Sequence, residues 1–106
     1  MRLYGTVTEE ESGRPLAGLL VRAYDKDLFK DDHLGDCVTG AAGEFQIQYT
    51  EAQYRDLHET LPDLYVRIYD AGGKRLLLST EKQVRKNALV VERFDLKIPS
   101  AKLSGS

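Results

Sequence analysis

The 106-residue chain has no tryptophan, one cysteine, one methionine, two histidines and three prolines. Each shortage closes off a class of function. Cys37 alone cannot form an intramolecular disulfide, so a disulfide-stapled scaffold is excluded and no oxidising compartment is needed. A single thiol is equally compatible with the cytoplasm. His33, His58 and Cys37 do not supply three or four ligands at zinc spacing. Charge of one sign is also missing. The 15 Lys and Arg stand against 17 Asp and Glu, a net of -2, which argues against the basic footprint of a nucleic-acid binder. Apolar runs such as Leu76-Leu77-Leu78 and Ala88-Leu89-Val90-Val91 fall far short of the roughly 20 residues that cross a bilayer. A strand-like pattern starts at Leu3, so no signal peptide is expected and localisation stays open.

What remains is ordinary globular composition, 42% hydrophobic and 30% charged, in a length that suits one domain. Residues 1–99 read as that domain, and 100–106, after Pro99, as a flexible tail or linker. Period-two alternation recurs along the chain. Leu3, Gly5 and Val7 alternate with Tyr4, Thr6 and Thr8. Strands are expected at 19–24, near 34–39, and at 44–49, 64–70, 75–80 and 89–98. Ser12-Gly13-Arg14-Pro15, Gly40-Ala41-Ala42-Gly43 and Asp70-Ala71-Gly72-Gly73 supply turns. One short helix is expected near residues 51–60. Thr50 and Gln53 form a capping box there, Tyr49 and Tyr54 a hydrophobic staple, and Pro62 halts the run. Seven short strands at this spacing predict an all-β, seven-stranded Greek-key β-sandwich. Its expected core is Leu3, Val7, Leu19, Val21, Ala23, Phe45, Ile47, Leu64, Val66, Ile68, Phe94, Leu96 and Ile98.

The framework Gly5-x-Val7, Pro15-Leu16-Ala17-Gly18, Val21-x-Ala23-x-Asp25, Leu34-Gly35, Thr39 and Gly43-x-Phe45 resembles the transthyretin-like, or carboxypeptidase regulatory-like, superfamily of immunoglobulin-like sandwiches. The likeness continues through Pro62-Asp63-Leu64-Tyr65 and Asp70-x-x-Gly73. Similar sequences often carry an acid where this chain has Gly40. The resemblance implies a non-catalytic accessory module appended to, or recruited by, a larger chain.

Five of the nine aspartates lie between positions 25 and 36, dense enough to be weighed as a cation site. Calcium takes six to eight oxygen ligands, and Asp25, Asp27, Asp31 and Asp32 are the candidate ligands. The segment is similar to the calcium loops of synaptotagmin-type domains, although Lys26 and Lys30 place positive charge among the carboxylates. A calcium-responsive module is therefore the alternative function, with Leu28 and Phe29 near lipid headgroups. The competing reading is a solvated turn capped by its own aspartates, and neither a resident cofactor nor membrane contact is expected. An EF-hand is excluded because Lys30 stands where that loop needs glycine.

Catalysis is not expected. There is no Gly-x-Ser-x-Gly elbow, and the ending Lys97-Ile98-Pro99-Ser100 lacks the Tyr-Arg-Gly-Ser of hydroxyisourate hydrolases. Cys37 falls inside a strand, where a small buried residue is the ordinary reading. The remaining candidates are Tyr4, Tyr65, Arg67 and Tyr69, joined by Tyr24 and Arg22, on the outer faces of the sheets. Tyrosine and arginine dominate interface hot spots, so a protein partner or parent chain is the expected ligand. High strand propensity of tyrosine is the competing explanation.

Overall fold

The computed structural model describes residues 1–54 and 61–104. In it the alternating segments become strands β1 (Arg2–Glu9), β2 (Leu20–Asp25), β3 (Asp32–Val38), β4 (Glu44–Gln48), β5 (Leu64–Tyr69), β6 (Leu76–Ser79) and β7 (Val91–Ile98). They form two sheets, β4-β1-β7 and β3-β2-β5-β6. Neighbouring strands are antiparallel except β1 and β7, which run parallel over Arg2↔Val91 to Glu9↔Ile98. Parallel pairing needs a crossover, and the first and last strands meet only after the chain has built the second sheet. The all-β sandwich expected from the alternation is the architecture found.

Inward positions of both sheets fill the core. Leu3, Val7, Val21, Ala23, Phe45, Ile47, Leu64, Val66, Ile68, Phe94 and Ile98 are buried, as their parity dictates, and Leu16, Leu34, Tyr49, Leu77 and Ala88 join them. Leu19 and Leu96, also expected inside, are only partly buried against this cluster. Full burial of one such aliphatic or aromatic side chain is worth about 1.5–3 kcal/mol.

Two glycines are required by geometry. A Cβ at Gly5 would sit 1.7 Å from the Phe94 carbonyl oxygen, so only glycine lets β1 lie against β7 there. Gly43 has φ +73°, and a Cβ there would meet the Val7 carbonyl at 2.4 Å; it closes the β3–β4 turn against β1. Buried Thr39 bridges the same end, donating to the Leu16 carbonyl (2.6 Å) and accepting from the Leu19 amide (3.0 Å).

Two segments differ from their sequence expectation. The acidic loop is shorter, because β3 begins at Asp32 instead of Leu34. Residues 100–103 form one helical turn, α2 (Ser100–Leu103). The Ser100 amide donates to Glu11, Arg75 donates to the Lys102 carbonyl, and Leu103 packs on the core. The expected helix is seen as α1 (Glu51–Tyr54). Gln53 takes the Thr50 amide at 2.8 Å, as a capping box requires, and donates to the Leu34 carbonyl at 2.6 Å. Positions 55–60, including His58, lie outside the described residues.

Candidate protein-binding face

Strand parity decides the fate of the acidic cluster. Asp25 continues the inward series Val21, Ala23, and its side chain is wholly buried. Its Oδ1 accepts the Asp63 amide at 2.8 Å. Asp63 in turn accepts the Asn87 amide on its carboxylate (2.9 Å) and the Lys26 amide on its carbonyl (2.8 Å). The two aspartates thus pin the β2–β3 connection, the start of β5 and the β6–β7 connection together.

Asp31 lies on the outer side of the same sheet. It receives the Tyr65 hydroxyl and the Asp27 amide (3.0 Å), with Lys26 Nζ at 3.7 Å. Burial acts to raise its pKa, but those three donors outweigh it and hold the carboxyl below its ordinary value. Asp27 caps the Leu28 amide at 2.6 Å, and Asp32 sits in β3 opposite Asp25. The four aspartates proposed as calcium ligands are therefore close in the chain but divided between the interior and the outer side. Among the described residues, no three His, Cys, Asp or Glu side chains converge on a metal-sized site.

The outer face of β3-β2-β5-β6 is built differently. Register places its side chains in rows that run across the strands. In the first row Leu20 stands between Val38 and Tyr69, with Leu76 beyond; Val38 and Leu76 are 60% and 47% exposed. In the second row Arg22 and Arg67 stand directly opposite one another, with Asp36 flanking Arg22. Tyr24 and Tyr65 form the third, stacked at 5.1 Å between ring centroids.

Cations are layered over these rings. Arg22 lies 5.4 Å from the Tyr69 centroid, and Arg67 lies 5.3 and 5.6 Å from Tyr24 and Tyr65, distances at which the ring quadrupole attracts a guanidinium. Glu81, just past β6, bridges Arg67 (2.7 Å) and Lys26 (2.6 Å). The Lys26 hydrogen bond, then that of Arg67, holds its carboxyl below the usual range. Burial raises the Tyr24 hydroxyl, and burial followed by the Asp31 hydrogen bond raises that of Tyr65, so both stay protonated donors.

One of the sequence candidates needs correction. Tyr65 points outward by parity yet is 1% exposed, because the Tyr24 ring, Arg67 and the Lys26–Asp31 arm lie over it. It supports the face without presenting itself. Tyr4 belongs to the other sheet, between Arg2 (5.0 Å) and Arg93 (5.8 Å). Arg67 and Tyr69 remain together on one surface, with Arg22 and Tyr24. Glu81, Asp36, Val38 and Leu76 were not read from sequence as parts of it. Cys37, expected inside, is half-buried on edge strand β3, and the His33 Nε2 donates to the Asp36 carboxylate at 2.7 Å.

A second exposed group lies at the end of the sandwich where the β2–β3 and β6–β7 connections meet residues 61–63. Leu28, Phe29, Leu61, Leu89, Val90 and Val91 are all exposed there, Phe29 at 97%. Among the described residues, no helix is long and apolar enough to cross a membrane.

No protein-family model matches the chain, and no curated protein sequence does either. Among solved structures, a 9R-lipoxygenase from Cyanothece PCC8801 is similar, with a TM-score of 0.69 and 20% identity over 92% of this chain. The chain spans only 16% of that protein's length. At this identity the likeness establishes the shared β-sandwich fold, and function has to be argued from the side chains.

Proposed function

We infer that this chain is a non-catalytic accessory module that binds a protein partner, or another part of a parent chain, through the outer face of β3-β2-β5-β6. One observation carries the reading: Arg22, Arg67, Tyr24 and Tyr69 converge on a flat surface while keeping partial exposure. Large amphipathic rings and guanidiniums bury much area at little entropic cost, which is why they anchor protein interfaces. Among the described residues, the polar groups most suited to chemistry are engaged with one another. Asp25 and Asp63 clamp three connections, Asp31 holds Tyr65, and His33 faces Asp36.

The accessory role is supported by the similar fold forming a small share of a much longer lipoxygenase chain. Membership of the transthyretin-like superfamily is supported by the structural work its framework residues do here. Gly5 and Gly43 permit close backbone approach, Thr39 ties the Leu16 carbonyl and the Leu19 amide to the end of β3, and Asp25 clamps Asp63.

The test is affinity capture with quantitative mass spectrometry, comparing the unmodified protein with an Arg22→Gln/Tyr69→Ser variant and a Phe29→Ser variant. Partners are expected to be lost with the face variant and retained with the loop variant. Capture that survives the face variant unchanged removes this surface as the binding site.

A further inference from the structure

Resting on that reading of the face, we propose that its ligand is an extended peptide segment carrying a carboxylate side chain and, two residues away, a large apolar side chain. The charge order across the second row is the first reason. From β3 to the far side of β6 it runs Asp36, Arg22, Arg67, Glu81: negative, positive, positive, negative. Each carboxylate flanks the row from outside, so the two arginines stand as neighbours in the register with no anion between them, Arg22 leaning over Tyr69 and Arg67 over Tyr24 and Tyr65. Like charges directly opposite across a strand pair repel, and an oxyanion placed there relieves the repulsion.

Arg22 is the less satisfied of the two. Asp36 lies 3.4 Å from its Nε, but that nitrogen is enclosed without an aligned hydrogen bond, and Asp36 is already held by His33 at 2.7 Å. A guanidinium donates two parallel hydrogen bonds to a carboxylate, and with Nε enclosed it is the two Nη groups of Arg22 that would meet an incoming one. Arg67 keeps its bond to Glu81 and adds charge from the other side.

The first row sets the second requirement. Leu20 and Tyr69, beside exposed Val38 and Leu76, lie one side-chain step along the strands from the arginines. That step covers two residues, or roughly 6.7 Å. An extended peptide repeats at the same interval, so acid-x-apolar spacing matches arginine row to apolar row. Charge complementarity of this kind fixes register as well as attraction.

Synthetic octapeptides test it, carrying Glu-Ser-Leu, Lys-Ser-Leu or Glu-Ser-Ser at their centre, titrated into 15N-labelled full chain. Glu-Ser-Leu is expected to shift the amides around Arg22, Arg67 and Tyr69 most, with affinity at least about fivefold above either counterpart. Arg22→Gln is expected to cut that affinity by roughly tenfold, with an unchanged melting temperature showing that the variant folds. Equal binding of all three peptides on this face overturns the acid-x-apolar assignment and leaves the face as a contact surface. Shifts confined to residues 28–29 and 89–91 overturn both readings, whereas no shifts at all overturn the peptide proposal alone and leave the face to the capture experiment. A dimer mass with dilution-dependent shifts on the face assigns it to a second copy and overturns the peptide proposal too.

Discussion

The loop end of the β2–β3 hairpin and the outer face of its sheet both gather charged groups, yet they are organised in opposite ways. At the loop end Asp25, Asp27 and Asp31 each have a donor within the chain. Asp25 takes the Asp63 amide, Asp31 the Tyr65 hydroxyl and Asp27 amide, and Asp27 the Leu28 amide. On the face, Arg22 and Arg67 are paired only at their flanks and oppose each other in the middle. Charge density in a sequence is thus a poor guide to function. Whether the charges are satisfied internally separates a fastening from a surface that recognises something else.

The largest consequence falls on Asp25. Removing a buried hydrogen-bonding carboxylate strands the Asp63 amide and loosens three connections. Asp25→Ala is therefore expected to cost about 2–3 kcal/mol, a fall in melting temperature of roughly 10–20 °C for a domain of this size. Asp27→Ala, one step outside the buried series, is expected to change it by only a degree or two. Circular dichroism melts of both variants decide the matter, and similar losses in the two would show that Asp25 is not the special one.

Acid should act through the loop end of the hairpin next. The carboxyl of Asp31 is held below its ordinary value in the folded chain, so the unfolded chain protonates first as pH falls. The stabilisation is complete above the ordinary value of 3.8 and is lost as pH drops below it through the folded value. Glu81 behaves in the same direction from its ordinary 4.5. Asp31→Asn is expected to flatten the decline of melting temperature over that acid range, while leaving the profile above pH 5 parallel to the parent. An acid limb of unchanged steepness would remove Asp31 from the account.

Calcium sharpens the same contrast with a smaller effect. Millimolar calcium and chelator are expected to give equal melting temperatures, because the interior carboxylate and the outer ones cannot ligate a common ion without breaking the Asp63 and Tyr65 bonds. A calcium-dependent rise, absent in Asp25→Asn/Asp27→Asn, would return the loop to the role of a sensor.

How far each region was legible follows from the range of the forces involved. The sheets were readable because period-two alternation is local: Val21 and Ala23, or Val66 and Ile68, declare their face within four residues. The same parity would have sent Asp25 inward, but carboxylates are so common in turns that the run from 25 to 33 read as a loop. Tyr65 failed for another reason. Its parity was right, and its burial comes from a neighbouring strand's tyrosine and a lysine arm folded over it. Which arginine faces which depends on the β2–β5 register, and pairing between distant segments leaves no trace in a local pattern. Tyr4 shares composition with the face but lies on the other sheet for the same reason.

The smallest stability effect belongs to the face itself, and its smallness is the point. Arg22 and Arg67 stand opposite each other with side chains about one-third exposed, and like charges in that position are unfavourable by a few tenths of a kcal/mol up to about 1. Removing one of them should relieve that repulsion, set against the loss of a partly screened contact with Asp36 and of packing on Tyr69. Arg22→Gln is thus expected to leave stability unchanged or to raise it by about 0.2–0.5 kcal/mol, measured by urea unfolding with an unchanged denaturant slope. A residue held only for the fold would cost stability when removed. If Arg22→Gln instead destabilises by more than about 1 kcal/mol, the arginine is a fastening like Asp25, and the two regions are built on one principle rather than two.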